Sequence, residues 1–237
     1  MSEEREIKDI GIVLKSIDSG EADRLVTILT SSHGKITAKM RGVKKAKAKL
    51  SYASFPLNLG EYIFVRRGRN YTVINCSYID NFASLTADLN LFYAASGALE
   101  GANLLAREGY NSYELFMTLL KSLKVLAYTK DVNIITLLSK TIIEYLKISG
   151  FNLSIDNISG DAQGCYFDFE MGMLCKVRRD EIIELGAEDS ETLYSLIQKE
   201  FDEVDFCDKT TKTILKLLVL FFENKTDEEL KIIKQFL

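Results

Sequence analysis

Between Lys35 and Leu50 the chain reads KITAKMRGVKKAKAKL, which gathers Lys35, Lys39, Arg41, Lys44, Lys45, Lys47 and Lys49 in one segment with no acid among them. A second cluster, Arg66, Arg67 and Arg69, is flanked by Phe64 and Tyr71, and Arg24 stands upstream of both. The chemistry open to such groups is neutralisation of a polyanion. Lysine acts as a point charge on phosphate, whereas arginine can also fork onto phosphate or stack on a base. Tyr71 offers an aromatic face for an unpaired base. Binding of this kind is largely sequence-independent and salt-sensitive: with about six phosphates neutralised, affinity falls on the order of a thousandfold between roughly 50 and 200 mM salt. A lysine run can also serve only to keep an edge strand from aggregating. Ordinary solvated faces mix both signs, and this segment does not.

Catalytic groups are sparse by comparison. The chain has one histidine, His33, too few for a Ser/His/Asp triad or a multi-histidine metal site. Glu21 and Asp23 are the close acidic pair beside the basic segment, and in a strand connection they are expected to make turn or Arg24 contacts rather than hold Mg²⁺. The expectation is a protein that is not an enzyme. Cys76, Cys165, Cys175 and Cys207 contain no CxxC pair, which predicts reduced, mostly buried thiols. The start, MSEEREIKDI, carries four acids in its first nine residues and no apolar core, unlike a secretory or transit signal. Leu217 to Phe222, the strongest apolar run, is six residues long, against roughly 20 for a membrane span. A cytoplasmic protein with no membrane partner is expected.

The elements that must position the cations are legible from periodicity. DIGIVLKSI alternates at Ile10, Ile12 and Leu14; RLVTILT, EYIFV and YTVINCSYI are rich in β-branched and aromatic residues. KITAKMR alternates cleanly, sending Ile36, Ala38 and Met40 to one face and Lys35, Thr37, Lys39 and Arg41 to the other. Gly42 then releases the chain into a lysine-bearing loop expected to be mobile, and RRGRN reads as a hairpin turn. Five short antiparallel strands in about 70 residues fit a small barrel of the OB type, with Tyr62 and Phe64 inside it. The domain is placed at 1–80.

Beyond residue 80 the apolar period lengthens to that of helices. Leu85, Leu89, Phe92, Tyr93, Ser96 and Leu99 fall on one face, followed by Phe116, Leu119, Leu120, Leu123 and Leu126, then Ile134, Leu138, Ile142 and Tyr145. These are expected to face a core. Ser112, Ser190, Thr210 and Thr226 are candidate N-caps, the last opening a terminal helix TDEELKIIKQFL. Charge divides with the elements: residues 1–80 carry 14 Lys and Arg against 9 Asp and Glu, leaving 16 against 25 for the helical part at 81–237. An irregular insert interrupts the helices at about 150–180.

The ordered string from Ile12 to Leu50 resembles the N-terminal domain of the RecO family of bacterial recombination mediators and DNA-annealing proteins. The resemblance rests on Ile12-Val13-Leu14, then Gly20-Glu21, Asp23, Leu25, Thr30 and Gly34-Lys35, then Arg41-Gly42-Val43-Lys44-Lys45 and Leu50. It implies a multidomain α+β protein: an N-terminal five-stranded OB-fold β-barrel, then a mostly α-helical domain. In many family members a Cys-rich zinc module sits where this chain has its insert. Phe167 or Phe169, Gly172 and Cys175 match that module's cue, but Asp156 and Ser159, before Gly160, stand where a first CxxC belongs, and Arg178 where the last cysteine belongs. Cys175 is the one family-type ligand retained, so zinc is not expected as a cofactor, and Cys165, Phe167, Phe169 and Leu174 are expected to pack a metal-free remnant.

The resemblance further implies binding of single- and double-stranded DNA, strand annealing, a RecR-type partner, action on DNA coated by single-strand-binding protein, indirect service to a recombinase, and association with the bacterial nucleoid. The residues expected to touch nucleic acid are Arg24, Lys35, Lys39, Arg41, Lys44, Lys45, Lys47, Lys49, Arg66, Arg67, Arg69 and Tyr71. An RNA-binding OB module using the same face is the alternative.

Overall fold

The computed structural model describes residues 5–156, 165–176 and 182–237. The chain divides into two compact units, Met1–Asp88 with Ala102–Leu123, and Leu89–Gly101 with Lys124–Leu237.

Five strands build the first unit: β1 Arg5–Ser19, β2 Asp23–Thr30, β3 Gly34–Met40, β4 Leu59–Arg67 and β5 Asn70–Asp80. They close into a barrel in the order β1-β2-β3-β5-β4, an OB fold. Closure depends on β1 serving two partners. Its first half pairs with β4 and its second with β2, with a register shift between Val13 and Lys15. Such an irregularity bends the strand and lets one strand turn the barrel's corner. The last seam, β3 against β5, is parallel and short, with Ala38 opposite Tyr71 and Lys39 opposite Thr72.

Alternation along β3 is as the sequence predicts: Ile36, Ala38 and Met40 are buried, while Lys35, Thr37 and Lys39 face outward. The buried set joins Val13, Val26, Ile28, Tyr62, Phe64 and Val73 in one core. Tyr62 and Phe64 stack at 5.9 Å between ring centroids. The buried Tyr62 hydroxyl accepts from Asn58 Nδ2 at 2.7 Å and donates to the Ala53 carbonyl at 3.0 Å. Without those bonds its burial would be costly; burial drives its ionisation far upward.

The turn that launches β3 is tied to β1 by one buried carboxylate. Asp9 accepts from Ser31 Oγ at 2.6 Å, from the Ser32 and His33 amides at 3.1 Å each, and from His33 Nδ1 at 2.6 Å. Burial alone would push its carboxyl up, but the hydrogen bonds from Ser31, His33 and Ser32 together hold it below the ordinary value of 3.8. A depressed folded-state pKa stabilises the fold above the unfolded value and stops doing so as pH falls through the folded one. Asp9→Asn is therefore expected to lose about 1–3 kcal/mol at neutral pH. The gap to the parent chain should begin to narrow near the ordinary value of 3.8 and close as pH falls through the lower folded one, where the buried Asp9 takes up a proton. Urea unfolding of both chains across that range measures it; a gap independent of pH would refute the role given to the carboxylate.

After the barrel come α1 Ala83–Ala87, α2 Leu89–Leu105, α3 Tyr113–Tyr128 and α4 Ile134–Ile148. A four-stranded sheet follows, built from β6 Ser154–Asp156, β7 Tyr166–Asp168, β8 Met173–Cys175 and β9 Ile182–Glu184 in the order β6-β8-β7-β9. The chain closes with α5 Ala187–Gln198, α6 Lys212–Thr226 and a short 3-10 turn, Ile233–Phe236. Among the described residues no helix is long and apolar enough to cross a membrane.

Four expectations are corrected here. Leu89, Phe92 and Tyr93 are exposed, whereas Ala94, Ala95, Ala98 and Leu99 are buried. α2 packs through a small-residue seam, and the Tyr145 hydroxyl reaches the Ala98 carbonyl at 2.8 Å. Ser190 lies inside α5, whose N-cap is Gly186, and accepts instead from the Cys165 amide at 3.1 Å. Thr211, not Thr210, caps α6, while Thr226 ends that helix and TDEELKIIKQFL forms only the 3-10 turn. Ser112 does hold the position before α3 expected of it, its carbonyl accepting from the Phe116 amide at 2.8 Å. Its hydroxyl, however, donates to the Tyr110 carbonyl, and it is Asn111 Oδ1 that accepts from the Tyr113 amide.

Candidate nucleic-acid interface

At the parallel seam between β3 and β5 the barrel surface opens into a cleft of about 460 Å³. Lys39 and Arg41 enter it from β3 and its end, Arg69 from the β4–β5 turn, Tyr71 and Thr72 from β5. Three cations and one aromatic ring named from sequence are thus brought to one place. Tyr71 is half-buried rather than free. Phe64 meets it edge-on at 6.5 Å, and the Arg66 guanidinium lies 5.6 Å from its ring centroid. Its ring is held in place, which suits a stacking platform.

The remaining basic residues separate into engaged and open groups. Arg24 is fully engaged within the barrel: Nη1 donates to Ser54 Oγ at 3.0 Å, Nε faces Asp18 at 3.4 Å, and the guanidinium lies 4.2 Å over Phe55. Lys35 Nζ donates to the Asn103 carbonyl at 2.8 Å. Lys44 Nζ pairs with Asp18 at 2.6 Å, and Lys39 Nζ with Asp23 at 2.9 Å. Arg66 Nε donates to the Gly68 carbonyl at 2.9 Å, and Arg67 is exposed in the same hairpin. Among the described residues, exposed Lys45, Lys47, Lys49 and Arg69 have no carboxylate within ion-pair distance.

The lysine segment differs from the open loop expected of it. It folds as consecutive turns, with the Lys45 amide donating to Gly42, Ala48 to Lys45 and Ser51 to Ala48. Val43 is buried in the barrel core, and the Lys44 amide donates to the Ala22 carbonyl at 3.0 Å. The segment presents its lysines from a built surface, which lowers the entropy lost when they bind.

Sequence reasoning named Asp23 beside the basic segment but missed two other acids that share this surface, Asp18 and Glu108. Asp18 and Asp23, at the ends of the β1–β2 connection, are carried beside the lysines by the register of β2 with β3. The Lys44 hydrogen bond chiefly holds Asp18 below the ordinary carboxylate range, with Arg24 assisting. For Asp23 the Gly42 amide, at 2.8 Å, is the main cause, followed by Lys39. Arg24 thus meets Asp18, while Asp23 makes the other kind of contact expected of it, with a turn amide, that of Gly42. Glu108, from the segment between α2 and α3, lines the cleft itself, and no local signal in the sequence points to it.

In the second unit the insert is a small packed sheet. Cys165, Phe167, Leu174 and Cys175 are buried, and Phe167 and Phe169 both meet Phe221 of α6 edge-on at 5.5 Å. Asp156 is the register partner of Cys175. Ser159, Gly160 and Arg178 lie outside the described residues. Among the described residues no group of three or more His, Cys, Asp or Glu is placed to hold a metal ion. A closed tetrahedral zinc site needs four ligands; of the positions matched to such a module, Asp156 and Cys175 lie among the described residues.

A family model for the recombination protein O N terminal matches residues 1–82. Among curated relatives, DNA repair protein RecO of Bacillus pumilus is 30% identical over 175 residues, covering 72% of this chain and 67% of the relative. The Clostridium kluyveri protein of that name is 33% identical over 150 residues, 63% of this chain and 58% of the relative. The Acetivibrio thermocellus one is 31% identical over 123 residues, 52% and 49% respectively. The matches thus span between half and two thirds of these relatives' lengths. With the barrel order, the cleft at its parallel seam and these relationships together, the chain belongs to the RecO family.

Proposed function

We propose that this protein binds single- and double-stranded DNA on the cleft side of its OB barrel and anneals complementary strands as a recombination mediator in DNA repair. The observation that carries this reading is the convergence of Lys39, Arg41, Arg69 and Tyr71 on one cleft. The exposed lysines of the neighbouring segment add charge to the same barrel unit. Annealing needs no bond-making, only charge neutralisation that lets two polyanions approach. The protein therefore acts without catalytic chemistry. The acidic balance of residues 81–237, 25 acids against 16 bases, repels DNA. That confines strands to the barrel and leaves the helices to protein partners: a RecR-type protein, single-strand-binding protein and, indirectly, a recombinase. The name these relatives carry, DNA repair protein RecO, favours DNA over RNA as the ligand. The decisive experiment is annealing of complementary strands precoated with single-strand-binding protein, with and without the RecR-type partner. Acceleration is expected; no acceleration in either condition overturns the mediator reading.

A further inference from the structure

A phosphate-binding cleft has no electrostatic use for a carboxylate, yet Glu108 lines this one beside Lys39, Arg41 and Arg69. Its position is fixed by backbone rather than by accident of rotamer. Glu108 forms a β-bridge with Gly34, the Lys35 amide donates to the Arg107 carbonyl at 3.1 Å, and Lys35 Nζ donates to the Asn103 carbonyl at 2.8 Å. Three cations share the cleft, but none among the described residues lies within ion-pair distance of Glu108. Its nearest polar contact is Thr37 Oγ1 at 3.5 Å. The negative charge is therefore left open to whatever enters.

The outward face of β3 orders the cleft. Thr37 and Lys39 point outward on the strand, with Arg41 just past its end, at spacings of roughly 6.6 Å. The acid at the Thr37 end pairs with no cation among the described residues. At the other end Asp23 is already held by Lys39 and the Gly42 amide, and Arg41 adds a further positive charge, so the two parts of a nucleotide are not equivalent there. A phosphate is repelled from the acid end and attracted to Lys39 and Arg41. A base edge is not repelled: the amino groups of cytosine, adenine and guanine are donors, and a carboxylate accepts from cytosine N4 with good geometry. Tyr71, in the same cleft, supplies the ring on which such a base can stack.

We propose that Glu108 is the base-facing residue of this cleft, turning phosphates toward Lys39 and Arg41 and accepting hydrogen bonds from the amino groups of unpaired bases. The inference rests on the nucleic-acid reading above and narrows its ligand to an unpaired strand bearing amino-substituted bases. Thymine, which lacks an amino group, is the discriminating probe.

The test is fluorescence anisotropy with oligo(dC) and oligo(dT) of equal length at one salt concentration, using the full chain and its Glu108→Ala and Glu108→Gln variants. The parent chain is expected to hold oligo(dC) several-fold more tightly than oligo(dT). E108A should bring that ratio to about one, chiefly by strengthening oligo(dT) binding; E108Q, which keeps an acceptor and loses the charge, should strengthen both and keep a preference. Glu108 is exposed, so thermal unfolding should be unchanged in both variants. Equal affinities in the parent chain, a ratio that E108A leaves unchanged, or oligo(dT) affinity unmoved by E108Q each overturns the proposal while leaving nucleic-acid binding intact. If the parent chain binds neither oligonucleotide, both readings fall.

Discussion

Replacing Lys45, Lys47 and Lys49 together with Gln is expected to weaken DNA binding on the order of a hundredfold near 0.15 M salt. Each lysine that neutralises a phosphate releases about one counterion, so three lost contacts flatten the plot of log affinity against log salt by roughly 2.7. The deficit should vanish on extrapolation to about 1 M salt, where counterion release no longer contributes. These three are chosen because they are exposed and have no carboxylate within ion-pair distance among the described residues. Lys44, next to Lys45 in the same run, is different: its ammonium already sits 2.6 Å from Asp18. A phosphate can recruit Lys44 only by displacing that carboxylate, so Lys44→Gln is expected to change the slope by less than one of the other three does. Titrations over a range of salt measure both variants. An undiminished slope in the triple variant would show that the lysine segment is only a solvated face.

How much of this surface could be read from sequence depends on the distance over which each piece is determined. The strands and their inward faces follow from a period of two, a local property, and Ile36, Ala38 and Met40 of β3 are buried accordingly. The cations of the cleft are legible one by one. Their meeting is not, because it needs Lys39 on β3 to pair with Thr72 on β5 across a barrel that β1 must first bend to close. Glu108 is further out of reach: its neighbour Thr37 is 71 residues away along the chain. Asp18 and Asp23 lie outside the basic run and enter it only through strand register, so a segment with no acid in it becomes a surface with two. The α2 error has another cause. Large apolar side chains mark a core face in a periodic pattern, whereas α2 buries alanines and a leucine and leaves Leu89 and Phe92 outside.

Gly34→Ala is expected to be among the most damaging single changes in the barrel unit, and the reason joins stability to the site. Gly34 has φ +71°, a left-handed conformation that costs an L-residue roughly 1–2 kcal/mol. A Cβ there would also overlap the Tyr110 carbonyl oxygen and come within 2.7 Å of the Arg107 carbonyl oxygen. Both are backbone atoms, so no flexible side-chain end can move aside. Relief requires the segment that carries Glu108 to leave β3, breaking the hydrogen bond from the Lys35 amide to Arg107, which is worth about 0.5–1.5 kcal/mol. The total is roughly 1.5–3.5 kcal/mol, and at about 2–4 °C per kcal/mol for a chain of this size the melting temperature should fall by on the order of 10 °C. Gly20 supplies the control. It has φ +78° with nothing within 4 Å of an added Cβ, so Gly20→Ala bears the conformational cost alone. Differential scanning calorimetry should find Gly34→Ala the less stable by about 0.5–1.5 kcal/mol, the hydrogen-bond part of the sum. Equal losses would mean that the Glu108 segment is not pressed against β3, and the acid would then have no fixed place in the cleft.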